Sequence, residues 1–146
     1  MVHSDVWGPS QTPNITNARW FVSFIDDHTR LTWIFLMKQK SEVFQIFKTF
    51  NTMIQTQFNS KIQILRTDHG KEFFNSTLSN YLLSESIIHQ SSSVDTPQQN
   101  GIVERKNRHI LEVARSLLFS ASMPKRFWGD AVLTAVYLIN RSLPKF

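Results

Sequence analysis

Cysteine is absent from the 146 residues, which excludes disulfides and any thiolate-ligated zinc site and suits a reducing intracellular compartment. Glycine (4) and proline (5) are scarce and scattered, so the chain holds no low-complexity run, repeat or linker. No apolar stretch approaches the roughly 18–20 residues needed to span a bilayer, and the amino terminus lacks the charged-then-apolar order of a signal peptide. Acid is in deficit: 11 Asp and Glu against 16 Lys and Arg leave a formal charge of +5, which favours a polyanionic partner. What is present is core-forming material, 41% hydrophobic and 12% aromatic, enough for one domain. The chain reads as a soluble globular domain over residues 1–146, and strand-like sequence from Val2 onward suggests an excised piece.

Residues 20–25 and 31–37 are apolar, aromatic and β-branched, and the intervening Asp26-Asp27-His28-Thr29-Arg30 makes them a hairpin of buried strands. Ser41 is expected to cap a helix in which Val43, Phe47, Phe50, Ile54 and Phe58 recur at intervals of three and four, with Glu42 in its first turn. Ile62, Ile64 and Leu65 form a short strand ending at Asp68. A helix over 76–85 and a brief strand at Ile87-Ile88-His89 follow. From about 99 to 120 a stripe of Val103, Ile110, Ala114, Leu117 and Ala121 opposes Arg105, Arg108 and Arg115. Pro124 ends that helix, and 126–140 read as a last, largely buried one. The order βββαβαβαα predicts an α/β fold, a five-stranded mixed sheet of three antiparallel and two parallel strands with helices on both faces. Asn14, Asn75 and Asn140 head glycosylation-type triplets, taken as chance matches.

Three acids stand out. Asp5 lies within a strand flanked by apolar residues, where a lone carboxylate requires a partner or a metal. Asp68 sits where a strand runs out, a position favoured for chemistry in α/β sheets. Glu104 follows after 35 intervening residues, one turn into the basic helix. Taken singly, each has an ordinary structural explanation: an edge charge, an Asp-x-Gly turn, a helix-dipole preference. Together they suit metal-assisted phosphoryl chemistry, in which carboxylates from different elements hold hard divalent cations. Asp26-Asp27 is the decoy, because consecutive strand residues point to opposite faces and Asp is common in turns. The five histidines show no zinc-motif spacing, although His69 lies beside Asp68. Gln98, Gln99 and Asn100, followed by Arg105, Lys106 and Arg108, form a candidate DNA-facing surface of amides and cations.

The blocks His3-Ser4-Asp5-Val6-Trp7-Gly8-Pro9, Phe24-Ile25-Asp26-Asp27-His28-Thr29-Arg30, Arg66-Thr67-Asp68-His69-Gly70-Lys71-Glu72-Phe73, Thr96-Pro97-Gln98-Gln99-Asn100-Gly101-Ile102-Val103-Glu104-Arg105-Lys106-Asn107-Arg108 and Phe127-Trp128-Gly129-Asp130-Ala131 occur in an order that resembles the catalytic core of copia-type LTR-retrotransposon integrases, part of a Gag-Pol polyprotein. The resemblance runs almost end to end. It implies a ribonuclease-H-like fold and a DDE triad of Asp5, Asp68 and Glu104 binding two Mg2+ ions, with Mn2+ as substitute. The implied activity is DNA integration: 3′-end processing, then strand transfer into double-stranded host DNA. It further implies a homo-oligomer in the full-length protein, located in virus-like particles and the nucleus. Position 69 departs from the pattern, being His where the family usually has Asn, and the family's zinc-binding and carboxy-terminal regions are not in this sequence. Two other readings stand beside this one: an inactive, domesticated nucleic-acid-binding remnant of the same fold, and a ribonuclease acting on RNA–DNA hybrids, against which the Glu104 spacing and the Gln98–Arg108 block tell.

Overall fold

Period-two hydrophobicity and β-branched or aromatic residues place β1 (Val2–Trp7), β2 (Trp20–Asp26) and β3 (Thr32–Met37) side by side as an antiparallel group in the computed structural model, which describes residues 1–91 and 101–144. The β2–β3 hairpin closes through the Asp26 N–H donating to the Leu31 carbonyl and the Arg30 N–H to the Asp26 carbonyl, both at 2.9 Å. The Asp26 carboxylate accepts from the backbone and the hydroxyl of Thr29, both at 2.8 Å, so this acid is a turn-former as expected. Asp27 points elsewhere: its Oδ1 lies 2.8 Å from Nε2 of the buried His3.

Helix α1 (Val43–Phe58) buries Val43, Phe47, Phe50 and Ile54 as its spacing predicts, but Phe58 is 48% exposed at the last turn, before Asn59 ends the helix in a left-handed conformation. The cap also differs from expectation. Ser41 lies inside a 3-10 turn (Lys40–Glu42), and Glu42 reaches back to accept from the N–H groups of Lys38 and Gln39 at 2.7 Å. A carboxylate satisfies two orphan donors where a hydroxyl satisfies one, so the acid wins the cap.

The strand β4 (Ile64–Thr67) pairs parallel with β1, and β5 (Ile88–Ser91) pairs parallel with β4, giving the order β3-β2-β1-β4-β5. Between them α2 (Ser76–Ser84) is capped by Asn75, whose Oδ1 accepts from the Leu78 N–H at 2.9 Å. Helices α3 (Gly101–Ser120) and α4 (Trp128–Arg141) pack together and against the opposite face from α1. In the stripe expected on α3, Val103, Ile110 and Ala114 are buried and Leu117 half-buried, whereas Ala121 falls beyond the helix and is exposed.

Alternation along the strands divides the core in two. Val2, Val22, Phe24 and Leu65 meet α1 and α2, where Phe24 and Phe50 stack at 4.4 Å. Phe21 and Ile34 meet Ile110, Trp128 and Val132 of α3 and α4. The three asparagines of the triplets serve this assembly. Besides the Asn75 cap, buried Asn14 accepts from the Gly129 N–H at 2.9 Å, and Asn140 exchanges two hydrogen bonds with the Thr32 backbone at 3.1 and 2.8 Å. A Cβ on Gly129 would lie 2.8 Å from the Asn14 side chain, so only glycine permits that approach.

Candidate active site

Asp5 is delivered by strand alternation. Val2 and Val6 point into the α1-side core and Trp7 into the α3/α4 side, so Asp5 shares the face covered by α3. Its strand neighbour on β2 is Ser23, and on the other side β1 runs parallel to β4 with Val2 opposite Leu65 and His3 opposite Arg66. The same offset carried two residues further sets Asp5 against Asp68, just past the end of β4. Parallel partners point to one face, and the two carboxyls meet there.

The consequence is electrostatic. The Asp5 carboxyl is pushed up from 3.8 to about 7, first by burial, then by the charge of Asp68 and a hydrogen bond with its side chain, with a smaller push from Glu104, while a hydrogen bond from the Val6 backbone opposes the rise. Asp68 is held by its own turn: Oδ1 accepts from the Gly70 N–H at 2.8 Å, an Asx turn. Glu104 occupies the first turn of α3, exposed, near the positive end of the helix dipole. Among the described residues no three His, Cys, Asp or Glu side chains stand close enough to hold a metal ion together. The two observations agree in kind, because a carboxylate's field extends well beyond ligand distance. Asp5 and Asp68 are in contact, and Glu104 stands near them without closing on a common point.

Of the residues expected to face DNA, Gln98, Gln99 and Asn100 lie outside the described residues. Arg105 and Arg108 are exposed on α3, but Lys106 is half-buried. Burial, and then the charge of Arg30, lower its ammonium from the ordinary lysine value. Beside the carboxylates a feature absent from the sequence reading appears: His69, Phe74 and His89 stack in series, with centroids 6.1 and 4.5 Å apart, and His89 Nε2 lies 2.8 Å from the Thr67 hydroxyl. Burial lowers the His89 imidazole from its usual value. Three rings from a turn, a loop and a strand carry no common spacing, so nothing in the sequence announced them.

The sequence is 43% identical over 142 residues, 97% of the chain, to the retrovirus-related Pol polyprotein of transposon TNT 1-94 from Nicotiana tabacum. It is 44% and 42% identical over 140 residues, 96% of the chain, to the Pol polyproteins of transposons RE2 and RE1 from Arabidopsis thaliana. The chain is homologous to a segment of the retrovirus-related Pol polyproteins of copia-type transposons. It spans only about a tenth of their length, 11% of the first and 9% of the other two. No protein-family model matches this Pol segment. Among solved structures it superimposes on a chain of a simian T-cell lymphotropic virus intasome with a TM-score of 0.75 at 16% identity, covering 97% of the segment and 48% of that chain. It also superimposes on the HTLV-2 integrase catalytic core domain, a trimeric form solved in complex with magnesium, with a TM-score of 0.69 at 17% identity, covering 97% and 84%. The fold of the Pol segment is therefore ribonuclease-H-like, the fold of retroviral integrase cores.

Proposed function

We propose that this Pol segment, residues 1–146, is the catalytic core of a retrotransposon integrase, a polynucleotidyl transferase that trims the 3′ ends of element DNA and joins them to host DNA. The observation that carries the reading is the crowding of Asp5 and Asp68, with Glu104 beside them, at the sheet end of an integrase-core fold. An acid raised to about 7 by burial and a neighbouring acid is a site short of positive charge. That donor set, all carboxylate oxygen, fits a hard divalent cation such as magnesium and suits softer metals poorly.

Asp5, Asp68 and Glu104 would hold the metal. Bound there, a pair of magnesium ions supplies Lewis-acid stabilisation of the attacking and leaving oxygens of a phosphodiester. The protein's own contribution is placement. The β1–β4 pairing supports Asp5 beside Asp68, the Gly70 N–H orients Asp68, and Glu104 in the first turn of α3 is near enough for its charge to act on Asp5. Arg105, Lys106 and Arg108 together with Gln98, Gln99 and Asn100 bind the double-stranded DNA backbone. The full-length protein would act as a homo-oligomer, in virus-like particles and then the nucleus.

The test is metal-dependent disintegration of a branched DNA substrate, the reverse of strand transfer. The wild-type chain is expected to resolve the branch with magnesium or manganese, and Asp68→Asn and Glu104→Gln to lose at least a hundredfold in rate. Retained activity in either variant would refute the triad. A folded but inert wild type that still binds DNA would point to the nucleic-acid-binding remnant.

A further inference from the structure

Ile102, Arg105, Lys106 and His109 recur on α3 at intervals of three and four and so form one stripe, adjacent to the line of Glu104 and Arg108. Against it stands Arg30, from the end of the β2–β3 hairpin. These five side chains line a groove of about 290 Å³, a volume that admits a phosphate group with its waters. Among the described residues no acid lines the groove, and four of its five lining residues are cations or become so on protonation.

Arg30 itself occupies a costly position. Its φ of 65° is the left-handed conformation that glycine or asparagine takes without strain. Its side chain is 44% exposed, and its guanidinium touches Asp27 Oδ1 at 3.4 Å, an oxygen already engaged by His3 at 2.8 Å. Among the described residues that carboxylate is the one hydrogen-bond partner of a guanidinium with five donors. Among the described residues these cations from two separate elements, one of them on a strained backbone, have a single carboxylate partner, Asp27 on Arg30.

We infer that the groove between the β2–β3 hairpin and α3 is a phosphate-binding subsite that takes a backbone phosphodiester of the DNA, with Arg30 as its fork-shaped ligand and His109 at its rim. The inference rests on the reading of the segment as a DNA-handling core and extends the contact surface past the Glu104–Arg108 line onto the hairpin. A guanidinium matches two phosphate oxygens in a way that an ammonium cannot, so the hairpin arginine would fix the strand's register while Lys106 adds charge.

The experiment is fluorescence anisotropy of a labelled DNA duplex against salt concentration, using the whole chain. Arg30→Gln is expected to weaken binding about fivefold and to flatten the log–log salt slope by about one, as one phosphate contact is lost. Arg30→Lys should keep the slope, and Arg19→Gln, an exposed arginine elsewhere, should change neither quantity. An unchanged slope in Arg30→Gln, with Lys106→Ala still flattening it, overturns the subsite and leaves the DNA-binding face of α3 standing. Unchanged slopes in both variants sink that face as well. A second measurement does not depend on any variant folding: the His109 imidazole resonances of the wild type should move when duplex DNA is added, and their failure to move overturns the proposal. Inorganic phosphate is the remaining arm. If it saturates the same resonances while DNA leaves them in place, the groove takes the free anion and the assignment to a strand is wrong.

Discussion

Replacing Asp5 by asparagine should stabilise the metal-free protein at neutral pH, although the change removes a residue of the proposed active site. The Asp5 carboxyl moves from 3.8 to about 7 on folding, a displacement of about three pH units, which corresponds to about 4 kcal/mol at 1.36 kcal/mol per unit. The sign follows from proton counting. Between those two values the folded chain binds more protons than the unfolded chain, so stability falls as pH rises through the window from about 4 to about 7. Above it the penalty is complete. Partial exposure of the side chain reduces the usable figure to about 2–4 kcal/mol. The asparagine side chain would be nearly isosteric with the aspartate and uncharged at every pH. Urea denaturation in the presence of a chelator is the assay, with wild type and Asp5→Asn compared at pH 4 and pH 7.5. The two should coincide at the lower pH, and the variant should be more stable by about 2–4 kcal/mol at the higher, as that shift implies. Magnesium should then raise the wild-type midpoint more than that of the variant, because only the wild type keeps all the ligand charge. Equal stabilities at pH 7.5, or a variant less stable than wild type, would refute the claim that Asp5 is buried against Asp68.

Two further outcomes are expected in the scaffold. Asp27→Ala leaves buried His3, whose Nδ1 already lacks a partner among the described residues, with neither ring nitrogen bonded, and should cost about 1–3 kcal/mol in urea unfolding. The Asp27 carboxyl is lowered chiefly by its hydrogen bond to His3, so that contribution is present above the usual carboxylate range and is lost as pH falls through the lowered value; variant and wild type should converge in acid. Phe50→Ala removes the ring stacked on Phe24 and edge-on to Trp33, and should cost about 3–5 kcal/mol with an unchanged denaturant slope; a loss below about 1 kcal/mol would mean that the core closes over the gap.

The periodicities of two and of three-to-four residues were enough to lay out in order the five strands and four α-helices of the described residues, because each buries one face and the pattern is local. They placed Val43, Phe47, Phe50 and Ile54 inside, and they set Asp5 and Asp68 at strand positions that chemistry favours. They failed where a specific side-chain partner decided the outcome. Glu42 took the cap from Ser41 because its two backbone donors converge on one carboxylate, and Phe58 stayed exposed because at the last turn of α1 its ring meets Trp33 edge-on and leaves the rest to solvent. Asn14 and Asn140, chance matches as glycosylation triplets, tie distant segments through Gly129 and Thr32, whereas Asn75 caps α2 locally through Leu78.

What the sequence determined by itself was the alternation along β1 that separates Asp5 from Val2 and Val6 and the order of strands and helices along the chain. The parallel register that brings Asp5 against Asp68, and the meeting of the hairpin's Arg30 with the Lys106 side of α3, were decided only by the tertiary structure. Both join residues dozens of positions apart, and the energies that set them, burial and charge at short range, exist only after the chain has closed.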